Sequence, residues 1–364
     1  MSKVTIKMIA ERAGTSIGTV DRALSNRPGI NKDTKERILK IAKEMEYSPN
    51  QLASALSRKR VIRIAMVYPA TPRHFFGYVQ QGILKAQSEL DGFGIQVDSI
   101  CSVTENSVEQ EELLKSTDFS QYNGIAISVC GNEISRYIDD FTDSGIPVVT
   151  FNSDAPQSKR LFYVGHDSRK SGRLGGELMG KMLGGFGKVI VLGNFTAAPT
   201  FIERYGGFCE VIQSEYPGIS IYPCAECRRD YRIASRTIAN MFKEMSDIKG
   251  IFLTGATSTI GAVDAVRRNK IDGVTVVGYD LTGQIREALH SGICSAILCQ
   301  DPFEQGRQAV HMLARHLLEG WSVQQSQLLI NMRVLFKYNV DDVENMDIPD
   351  DYSEENYSEL RGGG

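Results

Sequence analysis

The apolar residues of positions 1–45 recur three and four apart, which is the spacing of one face of an α-helix. They form three groups: Ile6, Ile9 and Ala10; Val20, Ala23 and Leu24; and Ile38, Ile41, Ala42 and Met45. Thr5 and Asn31 can cap the first and third helices, and Gly14 gives the backbone freedom that a sharp turn needs. The pattern therefore predicts a first helix, a tight turn, a second helix that begins at Thr15 or Ser16, and a third helix over residues 31–45.

The second predicted helix leaves Ile17, Gly18, Asp21 and Arg22 on its outward side, near its N-terminal half. In a helix-turn-helix unit, this part of the recognition helix meets base edges in the major groove. Small helical pairs that bind no DNA share the same pattern, so charge is a second test. Residues 1–60 hold 13 Lys and Arg against 6 Asp and Glu, whereas the whole chain has a net charge of −3. A basic module on an acidic remainder favours contact with phosphates.

A short segment after the third helix, YSPNQLASALSRKR, has Pro49 as a helix stop and Asn50 as a new cap. The stretch that follows is too short to hold as an isolated helix in water, so we expect it to become ordered only on a surface. A plain linker with residual helix is the alternative interpretation.

From Arg60 onward, short apolar runs of strand length alternate with longer stretches of helical spacing. The runs are VIRIAMVY, IQVDSIC, GIAISVC, IPVVTF, KVIVLG, ISIYPC, GIFL, VTVVGYD and CSAILCQ. Nine or so strands, with a return near residues 291–335, exceed one small sheet. We therefore predict an α/β body of two similar lobes with doubly wound parallel sheets, and a ligand in the cleft at the carboxyl ends of the strands.

The N-terminal residues closely resemble the headpiece and hinge of the LacI family of bacterial transcription regulators. The resemblance is carried by VTIKMIAERAGTSIGTV, by Arg22, by the join from Tyr47 to Asn50, and by the run from Leu52 to Leu56. It implies an all-α helix-turn-helix headpiece at residues 1–48 and a hinge helix or linker at 49–60. It also implies an effector-binding and dimerisation body at 61–338, similar to the type I periplasmic sugar-binding fold.

By this resemblance, the residues at positions 17, 18 and 22 read operator bases, and an apolar side chain at position 56 kinks the central base step from the minor groove. The DNA contacts it implies are Thr5, Ser16, Ile17, Gly18, Thr19, Arg22, Asn26, Asn50, Ala53 and Leu56. Ile17 and Gly18 offer no side-chain hydrogen bond to a base, and Asp21 places a negative charge near phosphates, so the operator sequence stays open. Arg22 can read a guanine bidentately, which is worth roughly 1 to 3 kcal/mol of discrimination.

Aromatic or polar residues follow several predicted strands and form the candidate effector site. TPRHFFGYVQQG places Phe75 and Phe76 in a loop that opens a helix, similar to the Phe pair of ribose-type binding proteins, with two core aromatics as the alternative. Asn152 and Asp154 follow IPVVTF, and turn chemistry alone could explain both. In the family an Asp is frequent at the position of Asn152, so a charged acceptor has become a neutral amide.

Three further candidates lie in the second half of the chain. FIERYGGF matches a family motif and indicates Arg204 as a residue whose guanidinium donates paired hydrogen bonds to ligand oxygens. A surface salt bridge is the alternative role. The runs VVGYD and CQDPFEQG supply Asp280 and Gln300, at places where the family binds sugar hydroxyls. Asp280 is a candidate because an unpaired carboxylate after a buried strand needs a partner or water. Gly255 and Ala256 stand where these receptors usually carry Asn-Asp, so the ligand need not be an ordinary pentose.

Other chemistries find little support in the sequence. LGGFGKV lacks the glycine spacing and the Ser or Thr of a Walker loop. Cys224 and Cys227 form a lone CxxC, and His311 and His316 are five apart on a helical stretch, so they share a face poorly. We therefore expect no catalytic residues, no metal site and no cofactor, and a regulator rather than an enzyme.

Composition indicates which cellular compartment and which partners to expect. The chain is 42% hydrophobic, has no run of 18 apolar residues and lacks a signal-peptide layout, and its seven scattered cysteines fit reduced thiols. We expect a cytoplasmic protein without a membrane segment, whose partners are a near-palindromic double-stranded operator, a small-molecule effector of carbohydrate type, and further copies in a homodimer or dimer of dimers. Residues 341–364 hold nine acidic residues against one Arg, and we expect a solvated or disordered acidic tail over 339–364.

The sequence thus favours a sequence-specific DNA-binding transcription regulator, a repressor by resemblance to most relatives, whose operator affinity is controlled by an effector bound between two lobes. A sugar-binding receptor without DNA function is the alternative, and Gly18 and Asp21 encourage it. A sugar-modifying enzyme is a third class, for which the sequence nominates no catalytic set.

Overall fold

The computed structural model describes residues 6–24, 29–45, 61–194, 196, 199–222, 225–245, 247–321 and 326–343. The chain separates into two compact units, Met1–Arg60 and Val61–Gly364. Several predictions lie outside the described residues: the hinge helix, Cys224 of the CxxC pair, the acidic tail beyond residue 343, and the DNA contacts at Thr5, Asn26, Asn50, Ala53 and Leu56.

The described part of the N-terminal unit holds the three helices that the apolar spacing predicts. They are α1 (Ile6–Ala13), α2 (Ile17–Leu24) and α3 (Lys32–Glu44). Gly14 takes a left-handed φ of 60° in the turn between α1 and α2, and Asn31 caps α3 through its side-chain oxygen. Ser16 caps α2, since its Oγ accepts a hydrogen bond from the backbone N–H of Thr19 at 3.2 Å. The buried core of this unit consists of Ile9, Ala10, Ala13, Val20, Ala23, Ile38 and Ala42.

The larger unit contains two largely parallel sheets with helices on both faces, as predicted. Its strands are β1 (Ile62–Pro69), β2 (Ile95–Ser102), β3 (Gly124–Ile127), β4 (Val148–Phe151), β5 (Tyr163–Gly165), β6 (Phe186–Gly193), β7 (Gly218–Ile221), β8 (Ala225–Glu226), β9 (Ile248–Leu253), β10 (Thr275–Tyr279), β11 (Ala296–Cys299), β12 (Gln327–Leu329) and β13 (Arg333–Leu335). Its helices are α4 (Arg73–Leu90), α5 (Ser107–Ser116), α6 (Ser135–Asp143), α7 (Ser168–Met182), α8 (Pro199–Glu215), α9 (Tyr231–Glu244), α10 (Ala256–Asn269), α11 (Gly283–His290) and α12 (Pro302–Glu319).

The first lobe is built on the sheet β12-β5-β4-β3-β1-β2, in which all neighbours are parallel. Helices α4 and α12 bury one face of this sheet, and α5 and α6 bury the other. Its inner strands are buried on both faces, which is why they read as continuous apolar runs rather than as alternating ones.

The second lobe is built on the sheet β13-β11-β10-β9-β6-β7, to which β8 adds by pairing with β6. Helices α7 and α8 cover one face, and α9, α10 and α11 cover the other. Strand β13 runs antiparallel to β11, and the remaining pairs are parallel. A two-lobed α/β body with doubly wound sheets is therefore confirmed.

The chain passes between the lobes three times, in short connections. It crosses from β5 to α7 through residues 166–167, from β11 to α12 through 300–301, and from β12 to β13 through 330–332. The connections from β5 and β11 leave the carboxyl ends of these strands, which is where the cleft of such a fold lies.

Two features differ from the sequence-based expectation. Strands β5, β8, β12 and β13 have only two or three residues each, too few to show a pattern of their own. The expected end of the body at residue 338 is too early, because Val340 is fully buried and the Arg286 guanidinium binds the carbonyl oxygens of Val340 and Val343 at 2.7 and 3.0 Å. None of the helices in the described ranges combines the length and the hydropathy that a membrane-spanning segment requires.

Candidate ligand-binding cleft and DNA-contacting helix

Three polar residues at strand ends adopt left-handed backbone conformations. Asn152 follows β4 with φ 59°, Asp280 follows β10 with φ 64°, and Asp301 lies two residues after β11 with φ 53°. Non-glycine residues seldom take this conformation, and strain of this kind gathers at functional sites. The sequence predicted the first two as ligand residues and missed Asp301, which also caps α12 through its side chain.

Asp280 and Gln300, two of the predicted ligand residues, lie within hydrogen-bond distance of each other. The Nε2 atom of Gln300 donates to Oδ1 of Asp280 at 2.6 Å. Burial raises the pKa of Asp280, while the positive charge of Arg204 and the hydrogen bonds from Gln300 and the backbone of Ala256 oppose that rise. Arg204 and Gln300, both predicted as ligand residues, therefore both interact with the carboxylate of Asp280.

Arg204 is a buried cation, which does not fit the surface salt bridge considered as its alternative role. Its side chain extends from α8, and the residue is only 6% exposed. Its Nη1 donates to the carbonyl oxygen of Thr254 at 2.6 Å, and its guanidinium lies 4.3 Å from the ring centroid of Tyr279. Helix α8 can sit this close to α7 because residue 172 is a glycine: a Cβ there would lie 2.0 Å from the backbone oxygen of Arg204.

The two phenylalanines occupy the first turn of α4 and differ in their surroundings. Phe76 is 1% exposed and stacks on Tyr68 in the core of the first lobe, with ring centroids 6.1 Å apart, as the core alternative describes. Phe75 packs edge to face against Phe76 at 5.2 Å and also lines a cavity. Of the pair, Phe75 is therefore the ring that faces a ligand-sized space.

That cavity measures about 230 Å³ and lies between the lobes. Its lining joins Phe75 to Asp280, and its other residues were not predicted from the sequence: His74, Tyr78, Leu281, Cys299, Asp301, Pro302, Phe303, Arg333, Asp342 and Val343. Asp301 and Arg333 form an ion pair of 2.7 Å beside two of the lobe connections. The aromatic rings and the carboxylates together suit a ligand with both apolar faces and hydrogen-bonding groups.

Asn152 and Asp154 serve different purposes. The Nδ2 atom of Asn152 donates to Oγ of Ser128 at 3.2 Å, which leaves its carbonyl oxygen for another donor. Asp154 accepts from the buried guanidinium of Arg160, with Nη2 to Oδ2 at 2.6 Å, and from Thr150 Oγ1 at 2.6 Å. The backbone N–H of Ala155 also binds this carboxylate, so Asp154 supports the loop after β4, as the turn alternative proposed.

A further contact joins the lobes across the cleft. The guanidinium of Arg229, before α9, contacts Oε2 of Glu105, before α5, at 2.5 Å. Burial raises the pKa of Glu105, and the charge of Arg229 opposes that rise. Among the residues that the structure describes, this is the one ion pair between the lobes away from the connections. Neither residue was predicted, since they are 124 positions apart and neither lies in a motif.

Helix α2 presents the outward face that the sequence predicts for a DNA reader. Ile17 is 54% exposed, Gly18 and Arg22 are exposed, and Thr19 is half-buried beside the capping Ser16. Val20 and Ala23 fix the opposite face in the core. This arrangement leaves the N-terminal half of α2 accessible to a partner.

The remaining motifs form no second site in the described parts of the chain. Gly184, Gly185 and Gly187 have left-handed φ angles where α7 ends and β6 begins. Because the chain continues into a strand here, it offers no helix N-terminus to bind a phosphate. Burial raises the pKa of the Cys227 thiol to about 11, so this thiol stays protonated. No cluster of three or more His, Cys, Asp or Glu suited to a metal occurs among the described residues.

Comparison with known proteins gives two family matches. Residues 64–320 match the model of the periplasmic binding protein domain, and residues 5–50 match that of bacterial regulatory proteins of the lacI family. The transcriptional regulator DegA of Bacillus subtilis is 29% identical over 156 residues, which are 42% of this chain and 45% of DegA. The probable transcriptional repressor ExuR of the same species is 22% identical over 77% of this chain and 82% of its own length.

Binding proteins without a regulatory name also match the body. The ribose import binding protein RbsB of Escherichia coli is 23% identical over 72% of this chain and 86% of its own length. The solved structure of the arabinose-binding protein AraP from Geobacillus stearothermophilus superposes with a TM-score of 0.70 at 23% identity, covering 78% of this chain and all of AraP. At this identity the likeness is one of fold.

Proposed function

The chain belongs to the family of periplasmic binding protein domains and carries a lacI-family DNA-binding domain, and from this premise we propose that it is a transcription regulator whose operator affinity is set by a small-molecule effector. The observation that carries the proposal is the presence, in one chain, of an exposed recognition-type helix and a cleft lined from two lobes.

Helix α2 is the proposed reader of the operator. Arg22 is exposed on its outward face and would contact a guanine, while Ile17 and Gly18 would contribute shape and close approach rather than hydrogen bonds. The remaining proposed contacts are Ser16 and Thr19 on the same unit, together with Thr5, Asn26, Asn50, Ala53 and Leu56 from outside the described residues.

The proposed effector is a sugar or sugar derivative. The names of RbsB and AraP refer to ribose and arabinose, which motivates this class. Arg204, Asp280 and Gln300 would bind ligand oxygens from the second lobe and its connection, and Phe75 would stack on an apolar sugar face. Asn152 would accept a hydrogen bond from the ligand through its carbonyl oxygen. Phe76 would pack behind Phe75, and Asp154 would stabilise the loop after β4.

The proposed mechanism couples the two ligands through lobe movement. Two copies would place two headpieces on a near-palindromic operator, as the two-fold axis of a homodimer requires. Effector binding would change the angle between the lobes at their three connections and so change the geometry of the hinge segments in residues 49–60. Because such coupling is reciprocal, DNA would alter effector affinity by the same factor. We propose repression as the direction of control.

Selection of bound fragments from the host genome tests this function. The purified full-length protein is mixed with sheared genomic DNA, with and without D-ribose, L-arabinose or D-galactose, and the retained fragments are sequenced. We expect recovery of a shared near-palindromic sequence and a change in its yield with one of the sugars. Recovery of no common sequence under any condition would contradict DNA regulation and favour a receptor role.

A further inference from the structure

The guanidinium of Arg204 is held entirely by groups that carry no negative charge. Its partners are the carbonyl oxygen of Thr254 at 2.6 Å, the ring of Tyr279, and Nε2 of His166 at 3.1 Å. Among the described residues, no carboxylate approaches within the 4.0 Å of an ion pair. The side chain is therefore oriented by three neutral groups, while Asp280 acts on it only through its field.

His166 lies on the first connection between the lobes, directly after β5, and is 5% exposed. A guanidinium can only donate hydrogen bonds, so Nε2 of His166 must be the acceptor. The hydroxyl of Ser168 lies 3.3 Å from the same nitrogen and can donate to it as well. A neutral imidazole with an accepting Nε2 carries its proton on Nδ1.

The environment keeps this imidazole neutral. Burial, together with the nearby charge of Arg204, lowers the pKa of His166 to about 3. Its Nδ1 is buried and has no hydrogen-bond partner in the described structure, an arrangement that costs free energy. Buried polar groups are rarely left unpaired, so an unpaired one calls for an explanation.

We propose that His166 is a positioning residue of the effector site: it holds the guanidinium of Arg204 in place as a neutral acceptor and leaves its positive charge for oxygen atoms of the effector. A carboxylate at the same position would hold the guanidinium equally well but would cancel its charge. The inference rests on the proposed function, in which Arg204 binds the effector. Because His166 lies on a connection, a change in lobe angle that displaces it also displaces the partner of Arg204.

One test requires no ligand. The full-length protein is labelled with ¹⁵N-histidine, and the resonances of His166 are identified by their loss in His166→Gln. At pH 7 we expect a protonated Nδ1 and a bare Nε2 whose shift changes in Arg204→Lys. His316 provides an internal reference for a protonated Nδ1, since this atom lies 2.7 Å from the carbonyl oxygen of Trp321. A proton on Nε2 of His166 would overturn the proposal, because that nitrogen could not accept a hydrogen bond.

A second test separates charge from shape. Gln and Glu are nearly identical in shape, but only Glu would neutralise Arg204. We expect calorimetric Kd values for D-ribose, L-arabinose and D-galactose, wherever the wild type binds, to stay within about threefold in His166→Gln and to weaken at least about tenfold in His166→Glu. Equal affinities of the two variants would refute the positioning role.

Two precautions keep these outcomes distinct. If the buried Glu prevents folding, judged by circular dichroism, His166→Leu replaces it, since Leu fills the volume without an acceptor and should also bind about tenfold more weakly than His166→Gln. If the wild type binds none of the three sugars, the proposed effector class fails, and the ¹⁵N spectra still decide whether His166 holds Arg204.

Discussion

The two walls of the cleft differ in chemistry. The wall from the first lobe presents the ring of Phe75 and the amide of Asn152, and its carboxylates at Glu105 and Asp154 are each bound by an arginine. The second lobe holds a buried guanidinium, that of Arg204, and a half-buried carboxylate, that of Asp280, which lines the cavity and interacts with Arg204 through its field. The first wall therefore offers the ligand an aromatic surface and a neutral amide, and the second offers it charged groups.

This difference indicates an order of events. Charged groups that are already buried and oriented bind polar atoms with little reorganisation, so the second lobe would bind the effector first. The aromatic wall would then cover the ligand as the lobes close. Substitutions on the two lobes and a change of pH test whether the walls differ in this way.

Asp280→Ala should have the largest effect, because it removes the cavity-lining carboxylate that Gln300 orients and that is proposed to accept hydrogen bonds from the effector. Each hydrogen bond to a charged acceptor is worth about 1.5 to 3 kcal/mol, so the effector response should disappear while DNA affinity remains. Effector titrations of operator binding measure both quantities, with Asp91→Ala, an exposed residue beyond α4, as the control. An unchanged effector response would remove Asp280 from the second wall.

Alanine substitutions of the two neighbouring phenylalanines should separate stability from binding on the first wall. Phe76→Ala empties a fully packed site and should lower the free energy of unfolding by about 3 to 5 kcal/mol. Phe75→Ala should cost less stability and more effector affinity, because this ring lines the cavity. Urea denaturation and calorimetric titration measure the two effects. Equal losses of effector affinity in the two variants, measured where both are folded to the same extent, would show that Phe75 has no special role on the first wall.

A fall in pH should destabilise the protein through two buried histidines, His74 in α4 and His166 after β5. The pKa values of His74 and His166 are lowered to about 4 and about 3, mainly by burial, so the unfolded chain takes up protons below pH 6.5 before the folded chain does. Stability should therefore fall as pH falls from 6.5 towards these values, by up to about 1.4 kcal/mol per pH unit for each group.

The two histidines can be told apart by substitution. In His166→Gln, the loss of stability between pH 6.5 and 5 should be smaller than in the wild type by up to about 2 kcal/mol, and His74→Gln should behave similarly. Urea denaturation at the two pH values provides the measurement. A wild-type slope in both variants would show that other groups govern the acid response.

Glu105→Gln should have the smallest effect, since it weakens a partly exposed ion pair worth up to about 1 kcal/mol. The variant should have a slightly larger radius of gyration by X-ray scattering at low salt, and the difference should vanish at high salt. Asp143→Asn is the matched control, because its pair with Lys159 lies within the first lobe at 2.7 Å. Equal radii of the wild type and Glu105→Gln at low salt would show that the pair does not hold the lobes together.

The sequence predicted those features of the fold and cleft that depend on neighbouring residues. Strand β10 reads as a continuous apolar run because it is buried on both faces, and Asp280 is conspicuous as the first charge after it. The headpiece helices follow from spacing and from the cap at Asn31 for the same reason. Such signals lie within a few residues of the group that they identify.

Features that depend on distant residues escaped prediction. Glu105 meets Arg229 only because two loops of different lobes face each other, and nothing near either residue indicates this. His166 follows a strand of three residues that shows no pattern, so its place at a strand end could not be recognised. The separation of Phe75 from Phe76 into cavity and core also depends on packing, which a pair of adjacent aromatics does not reveal.

The triple passage of the chain between the lobes has a consequence for synthesis on the ribosome. One face of the first lobe is completed by α12, whose Ala309, Val310 and Leu313 belong to its buried core, and its sheet is completed by β12. These segments leave the ribosome after nearly all of the second lobe has been made. An apolar face of the first lobe therefore remains exposed while the second lobe is synthesised. Truncated chains that end before residue 302 should therefore expose this face and become substrates for chaperones or proteases.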